Sequence, residues 1–542
     1  MDSPRPELVG DTAVAVSVTG VSITATLARV RRWAEAVSAA AIPGAVDVVA
    51  APGRVTVVYD PLGVGDVDGF LRAVTSAGAA AGEGDVGAGR VHEIPVAYDG
   101  PDLDELCGLH GIDRPRFVAA HTEPDYLVEA IGFLPGFGYL TGLPASLATP
   151  RRATPRRLVP AGAVGIGGSQ TGVYPFPSPG GWNLVGRAAV QLFDPTQARP
   201  ARLAVGDHVR FVAADLEPAA PAAERPTIVG PTGAAITVLE PGLFTTIQDL
   251  GRPGHRAAGV PLSGAADPVS LRIANMLVGN PEDAAGIECT LVGPKLRFER
   301  EAVVALAGAE FPGLPAGIAT RVAAGAELTL GHATAGCRGY LAVGGGVDVA
   351  PVLGSRSTLV VAGFGGFGGR PLRAGDRLTV AVGQTCSLPV SPTIPPSAAL
   401  PLAPAHAGPV ILRIIPGEHA NVFGDGAWSR SLRASSRSDR MGVRLEGDPL
   451  PGGAALAGLA SVAVLPGTVQ VPPDGQPIVL LADAQTTGGY PVLGQVIAAD
   501  LPRAAQLRPG ASVRFQPVSL AEARAALRER EARLAALREA VS

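Results

Sequence analysis

The stretch Leu243–Pro268, LFTTIQDLGRPGHRAAGVPLSGAADP, sets an amide, two acids and an arginine among glycines: Gln248, Asp249, Arg252, Gly264 and Asp267. Glycine lets backbone N–H groups approach a ligand closely. Arginine offers a rigid fork for carboxylate or phosphate, and the acids hold a cation or take a proton. The same chemistry recurs downstream. Glu288 lies in GIECTLVGPKLRF, Arg356 in LGSRST, and Ser438–Gly447 reads SDRMGVRLEG. Gln485, Thr486, Thr487, Gly489 and Tyr490 lie in DAQTTGGYP. In the N-terminal half, GFLPGFGYLTGL starts at Gly132 and GAVGIGGSQTGVYPFPSPGGWNLVG at Gly162. Within the second, Gly167, Ser169, Gln170, Thr171 and Gly172 crowd N–H groups, a hydroxyl and an amide together, an expected nest for an anion or a carbonyl oxygen. Ser178, Gly180, Gly181 and Trp182 form a second constrained turn. The plain alternative for each is turn chemistry between strands, with Phe133 and Phe137 as core and His255 as a structural histidine. Gly363–Gly369, GFGGFGG, reads as a flexible loop rather than a phosphate cradle.

These motifs sit where short strands meet glycine and proline. The chain has 542 residues, with Gly 71, Pro 51 and hydrophobic content of 47%, but aromatics are only 4%. Cores must therefore rest on Val, Leu, Ala and Ile, and frequent turns favour β-rich domains. The pattern predicts a small βαββα domain over 1–80, with strands near 13–18, 46–51 and 53–59 and helices near 26–40 and 67–77. A barrel-like run of short strands within 90–213 follows, then a second β-rich block from 227 to about 515 and a helix over 519–542. Ser519 and Glu522 form a capping box for that helix. Pro268–Val278 reads as the one good helix of the second half. The Ala/Pro-rich run 213–226 reads as a tether, and 388–409 as a second linker.

Composition also excludes. A net charge of −4 argues against nucleic acid as a partner. Cys107, Cys289, Cys337 and Cys386 form no CxxC pair, so neither a zinc site nor a disulfide framework is expected. The start MDSPRPELVGD lacks the features of a signal peptide, and no apolar run spans a membrane; a cytoplasmic location is the expectation. Lys295 is the only lysine, and GxxxxGK[ST] is absent, which removes a P-loop. A GxSxG elbow and an HExxH metal pair are absent too.

At these motifs the chain resembles a known pair of families. Residues 1 to about 215 resemble the B subunit of bacterial 5-oxoprolinase, the allophanate hydrolase subunit 1 or sporulation kinase inhibitor family. GFLPGFGYL, GGSQTGVYPFPSPGGWNLVGR and RRATPR carry that match. Residues from about 227 to 515 resemble the C subunit, allophanate hydrolase subunit 2, through TTIQDLGRPGHRAAGVPLSGAADP, IECTLVGPKLRF, LGSRST and DAQTTGGYP. Both resemble the carboxyltransferase part of urea carboxylase. The resemblance implies tandem cyclophilin-like β-barrels, over 90–213, 227–387 and 410–517, behind a small α+β domain, all in a mainly β protein. It also implies ATP-dependent opening of 5-oxoproline to glutamate with a separate lactam-utilisation family A subunit.

On that reading Asp249, Arg252, Asp267, Glu288 and Arg356 are the expected catalytic group. Arg252 and Arg356 would supply positive charge to ATP, with Mg2+ between phosphates, and an acid would hold the metal or act as base. The glycine nests near Gly167 and Gly489, with Ser178, Gln248, Gln485 and their neighbours, would bind substrate or ATP. A carboxyltransferase acting on carboxybiotin is the second reading and a kinase-binding regulator the third. A homo-oligomer is open on either.

Overall fold

A computed structural model describes residues 5–82, 89–217, 235–381, 408–452 and 459–541. Most of the expected tether and most of the second linker lie outside these residues. The first domain is a four-stranded antiparallel sheet carrying two helices, Ile23–Ala39 and Val67–Ala79. Ser22 and Asp66 cap them by accepting the N–H groups of Ala25 and Gly69. Strands Ala13–Ser17, Ala45–Ala51 and Arg54–Tyr59 match the expected ones. A further strand, Arg5–Val9, pairs with Ala13–Ser17. It holds the sheet edge, where Pro6 is tolerated and where apolar alternation is not demanded.

Two closed seven-stranded barrels follow one plan. In each, the first strand runs parallel to the last. Val91–Ala97 pairs with His208–Ala213, and Val410–Pro416 with Ser512–Pro517. Val, Leu and Ile fill both barrels, as the scarcity of aromatics requires. Between them, where the resemblance implies a further barrel over 227–387, two five-stranded sheets share one core instead. They pack like two half-barrels that do not join edge to edge.

The helix Pro268–Leu277 covers one of these sheets. The C-terminal helix Leu520–Val541 is capped by Ser519 and Glu522 as predicted. Its Leu534, Leu537 and Val541 pack on the Pro268–Leu277 helix, and Leu520 reaches the core of the first domain. Arg524 also donates to the carbonyl of Val64. This helix straps the first domain onto the second half.

Candidate functional site

The GFLPGFG motif is the loop where the halves meet. Gly132 lies so close to the second barrel that a Cβ there would stand 1.8 Å from Thr487 Oγ1. Four residues on, the Gly136 N–H donates to the Ala258 carbonyl at 2.9 Å. Gly259, at φ +76°, faces the Leu134 carbonyl, which a Cβ would meet at 2.7 Å. Only glycine fits this closely packed backbone. Phe133 takes a left-handed φ of +64°, a cost normally concentrated at functional sites. Its ring meets Phe137 and Tyr174 edge to face, and Phe137 in turn meets Tyr139 and Trp182. Phe137 is buried core, as the bland alternative held, while Phe133 is only partly buried. Phe193 of the first barrel stacks on Phe364 of the GFGGFGG loop, so that segment is a packed contact between halves.

Phe364 in turn covers Arg252, whose guanidinium carbon lies 5.2 Å from the ring centroid. Arg252 is 1% exposed. One nitrogen donates to the Ser357 carbonyl, while Nε and Nη1 have no partner among the described residues. Burial pushes its pKa down to about 10, against the nearby charges of Asp249 and Asp483. A buried cation with two idle donors is built to receive an anion.

The expected acids serve other ends. Asp249 accepts from Ser355 Oγ at 2.6 Å, from the Arg356 N–H at 2.5 Å, from the Gly251 N–H at 2.8 Å, and from Ser357 Oγ. Those bonds shape the LGSRST turn. Asp267 caps its helix through Ser270 and also takes Gln506 Nε2 at 2.8 Å; burial raises its pKa. Glu288 is buried. Burial alone would raise its pKa, but the charges of Arg440 and Arg338 hold it below the ordinary value. Arg440 bridges Glu288 of the middle unit to Asp483 of the second barrel, 2.7 Å away. Gln248 is fully buried and bonds Thr246 and Thr358. Arg356 is exposed. Of the expected catalytic group, therefore, Arg252 alone presents idle buried donors, and the three carboxylates are held by donors of their own chain.

In the first barrel, Gly167–Gly172 forms a β-hairpin rather than an open nest. The Gly168 N–H donates to Thr149 and Thr171 Oγ1 to the Gly165 carbonyl. Ser178, Gly180 and Gly181 border a short paired strand, where Gly180 makes room for the Tyr174 hydroxyl. Gln170 alone points to chemistry. It donates to Glu129, which sits at a bulge in strand Tyr126–Ile131. Burial raises the Glu129 pKa, opposed by that bond. Its second carboxylate oxygen has no partner among the described residues. Glu129, Arg151 and Tyr490 all lie within electrostatic reach of Tyr139, and Thr486 and Thr487 present buried hydroxyls without partners among the described residues. Gln485 Nε2 donates to Gln470 Oε1 at 3.3 Å. Glu129 and Tyr490 thus approach each other across Tyr139, and Arg252 lies within electrostatic reach of Asp483 on the second barrel. Sequence reasoning missed Glu129 and Gln470, and flagged the SDRMGVRLEG stretch without singling out its Arg440. Glu129 lies inside an apolar strand, YLVEAIGF, and that is the signal that could have found it.

Mg2+ takes several oxygen ligands in near-octahedral geometry. The engaged oxygens of Asp249, Asp267 and Glu288 do not provide that set, and no cluster of His, Cys, Asp and Glu suited to a metal occurs among the described residues. No helix of the described residues is long and apolar enough to cross a membrane.

Residues 4–203 match the family model for the carboxyltransferase domain, subdomain C and D, and residues 258–517 the one for subdomain A and B. The chain is 39% identical over 298 residues to the 5-oxoprolinase C subunit of Escherichia coli K12, covering 53% of this chain and 93% of that one. It is also 39% identical over 218 residues to the 5-oxoprolinase B subunit of Escherichia coli O157:H7, covering 39% of this chain and 97% of that one. Urea amidolyase of Lachancea kluyveri is 33% identical over 54% of this chain and 17% of its own length. The crystal structure of TTHA0988 superposes with a TM-score of 0.79 at 37% identity, covering 93% of this chain and 99% of that one. With both regions matched and in this order, the chain belongs to the carboxyltransferase-domain family of the 5-oxoprolinase B and C subunits, here joined in one polypeptide.

Proposed function

We propose that this chain is the joined B and C component of an ATP-dependent 5-oxoprolinase, opening 5-oxo-L-proline to L-glutamate together with a lactam-utilisation family A subunit. One observation carries the reading. Gly132 lies against Thr487, which supports a shared site for Glu129 and Gln170 of the first barrel with Gln485 and Tyr490 of the second, Arg252 belonging to the unit between them. A five-membered lactam resists attack because its nitrogen donates into the carbonyl. Phosphorylation of the carbonyl oxygen by ATP removes that resistance. Transfer of a phosphoryl group needs cations facing its oxygens, and Arg252 brings Nε and Nη1. Glu129, its acidity weakened by burial, takes a proton from the attacking water and returns it to the ring nitrogen as the C–N bond breaks, which leaves an acyl phosphate that a second water hydrolyses to the carboxylate and phosphate. The carboxylates of this chain do not form a Mg2+ cage, so an ion would arrive on the nucleotide.

The test mixes this chain with the A subunit, 5-oxoproline, Mg2+ and ATP. Glutamate and phosphate are expected in equal amounts, and neither without the A subunit. Formation of carboxylated urea from carboxybiotin instead would move the assignment to the second reading, which the urea amidolyase relatives favour.

A further inference from the structure

The second barrel holds a cavity of about 370 Å³ beside the seam. Its buried wall carries Gln470, and Gln485 and Tyr490 stand next to it. Leu480 and Met441 supply apolar sides, and Arg444 stands at the exposed rim. The two carboxamides are loosely held. Gln485 Nε2 reaches Gln470 Oε1 at 3.3 Å, and Gln470 Nε2 reaches the Tyr490 carbonyl at 3.5 Å. Gln485 Oε1 accepts nothing among the described residues. Gly488 keeps the space open, since a Cβ there would stand 2.7 Å from Gln470 Nε2. The neighbouring rim cation, Arg437, is already paired with Glu446 at 3.0 Å. Arg444 has no ion pair or side-chain hydrogen bond among the described residues.

A carboxamide places a donor and an acceptor side by side. The cis amide of a lactam ring presents the complementary edge, N–H beside C=O. A guanidinium on the rim of the same cavity suits a carboxylate. We propose that this cavity seats a small cyclic amide bearing a carboxylate, with the amide edge on Gln485 and Gln470 and the carboxylate on Arg444. The assignment rests on the 5-oxoprolinase reading and names the substrate site within it. Other amide ligands without a carboxylate would use the same inner wall and leave Arg444 idle.

The experiment measures binding of 5-oxoproline and of pyrrolidin-2-one, the same ring without the carboxylate, to the full chain by ligand-observed NMR. It then measures turnover with the A subunit. Gln485→Leu is expected to weaken both ligands by at least ~10-fold, the scale of a lost buried hydrogen-bond pair. Arg444→Met is expected to weaken 5-oxoproline by ~10-fold or more and to leave pyrrolidin-2-one unchanged. With the A subunit, each variant should raise KM more than it lowers kcat. Equal effects of Arg444→Met on both ligands overturn the carboxylate assignment. Unchanged binding and KM in both variants, while the wild type turns over, overturn the cavity and leave the 5-oxoprolinase reading standing. No turnover by the wild-type assembly overturns that reading itself. Melting curves of both variants that match the wild type keep a folding defect from imitating the expected loss.

Discussion

Replacing Arg252 with methionine separates an anion receptor from a structural arginine. Holding this guanidinium near 10 rather than 12.5 corresponds to about 3 kcal/mol of uncompensated burial, at roughly 1.4 kcal/mol per tenfold change. Methionine fills the space of the stem without the charge. It forfeits the bond to the Ser357 carbonyl, worth about 1 kcal/mol, and the contact with Phe364, worth about 1 kcal/mol. Arg252→Met should therefore leave the ligand-free chain more stable by roughly 1 kcal/mol, as is common when an unmatched buried charge is removed. Turnover with the A subunit should fall by about 100-fold or more, the scale of losing a donor to a developing anion. Urea midpoints with and without phosphate give the assay. At ten times its dissociation constant, phosphate adds about 1.4 kcal/mol to the wild type by mass action and nothing to the variant. A variant that loses 2 kcal/mol or more while phosphate shifts both proteins equally would make Arg252 a structural residue and refute the reasoning.

Arg440→Ala strands the carboxylates of Glu288 and Asp483 in the interior and should cost about 3–5 kcal/mol, read as a lower urea midpoint at pH 7. Asp11 is fully buried between the first domain and the second barrel, where it accepts the Ala498 N–H, and burial pushes its pKa up to about 6 from 3.8. The folded chain then binds more protons than the unfolded chain between those values. Stability should fall by up to about 3 kcal/mol as pH rises from about 4 to about 6 and level off above; Asp11→Asn should flatten that slope in urea titrations across pH. For Glu129, Glu129→Gln should lower kcat by about 100-fold or more and abolish the acid limb of the pH–rate profile. Gln170→Ala removes the bond that lowers the Glu129 pKa, so its acid limb should move to higher pH.

The sequence exposed those features that local physics decides. The helix Pro268–Leu277 was legible from Asp-Pro at its start, and the Ser519 box from its spacing. Strands Ala13–Ser17 and Arg54–Tyr59 announced themselves by β-branched runs. Strand Arg5–Val9 did not, because an edge strand needs no apolar alternation. The parallel closing pairs of the barrels join residues more than a hundred positions apart, and no local pattern encodes them. Over 235–381 the strand pattern announced only a β-rich block, and the barrel that the resemblance implied there is two open sheets, since closure depends on which edges meet. In the candidate site, composition flagged Arg252 and Gln485 as polar residues in glycine-rich loops. It could not tell that Asp249, Asp267 and Glu288 spend their oxygens on Ser355, Ser270 and Arg440. Nor could it single out Glu129, whose bulge turns one acid out of an apolar strand.

The joint seam itself is tested most directly at Gly132, where a side chain would collide with Thr487. The measurement is ATP-dependent glutamate formation by Gly132→Leu with the A subunit, beside the unfolding profile of the same protein. The account predicts turnover reduced by about 100-fold or more, the scale of a misplaced reacting group, with both barrels still melting cooperatively. Full turnover by a chain wedged open at this point would contradict it.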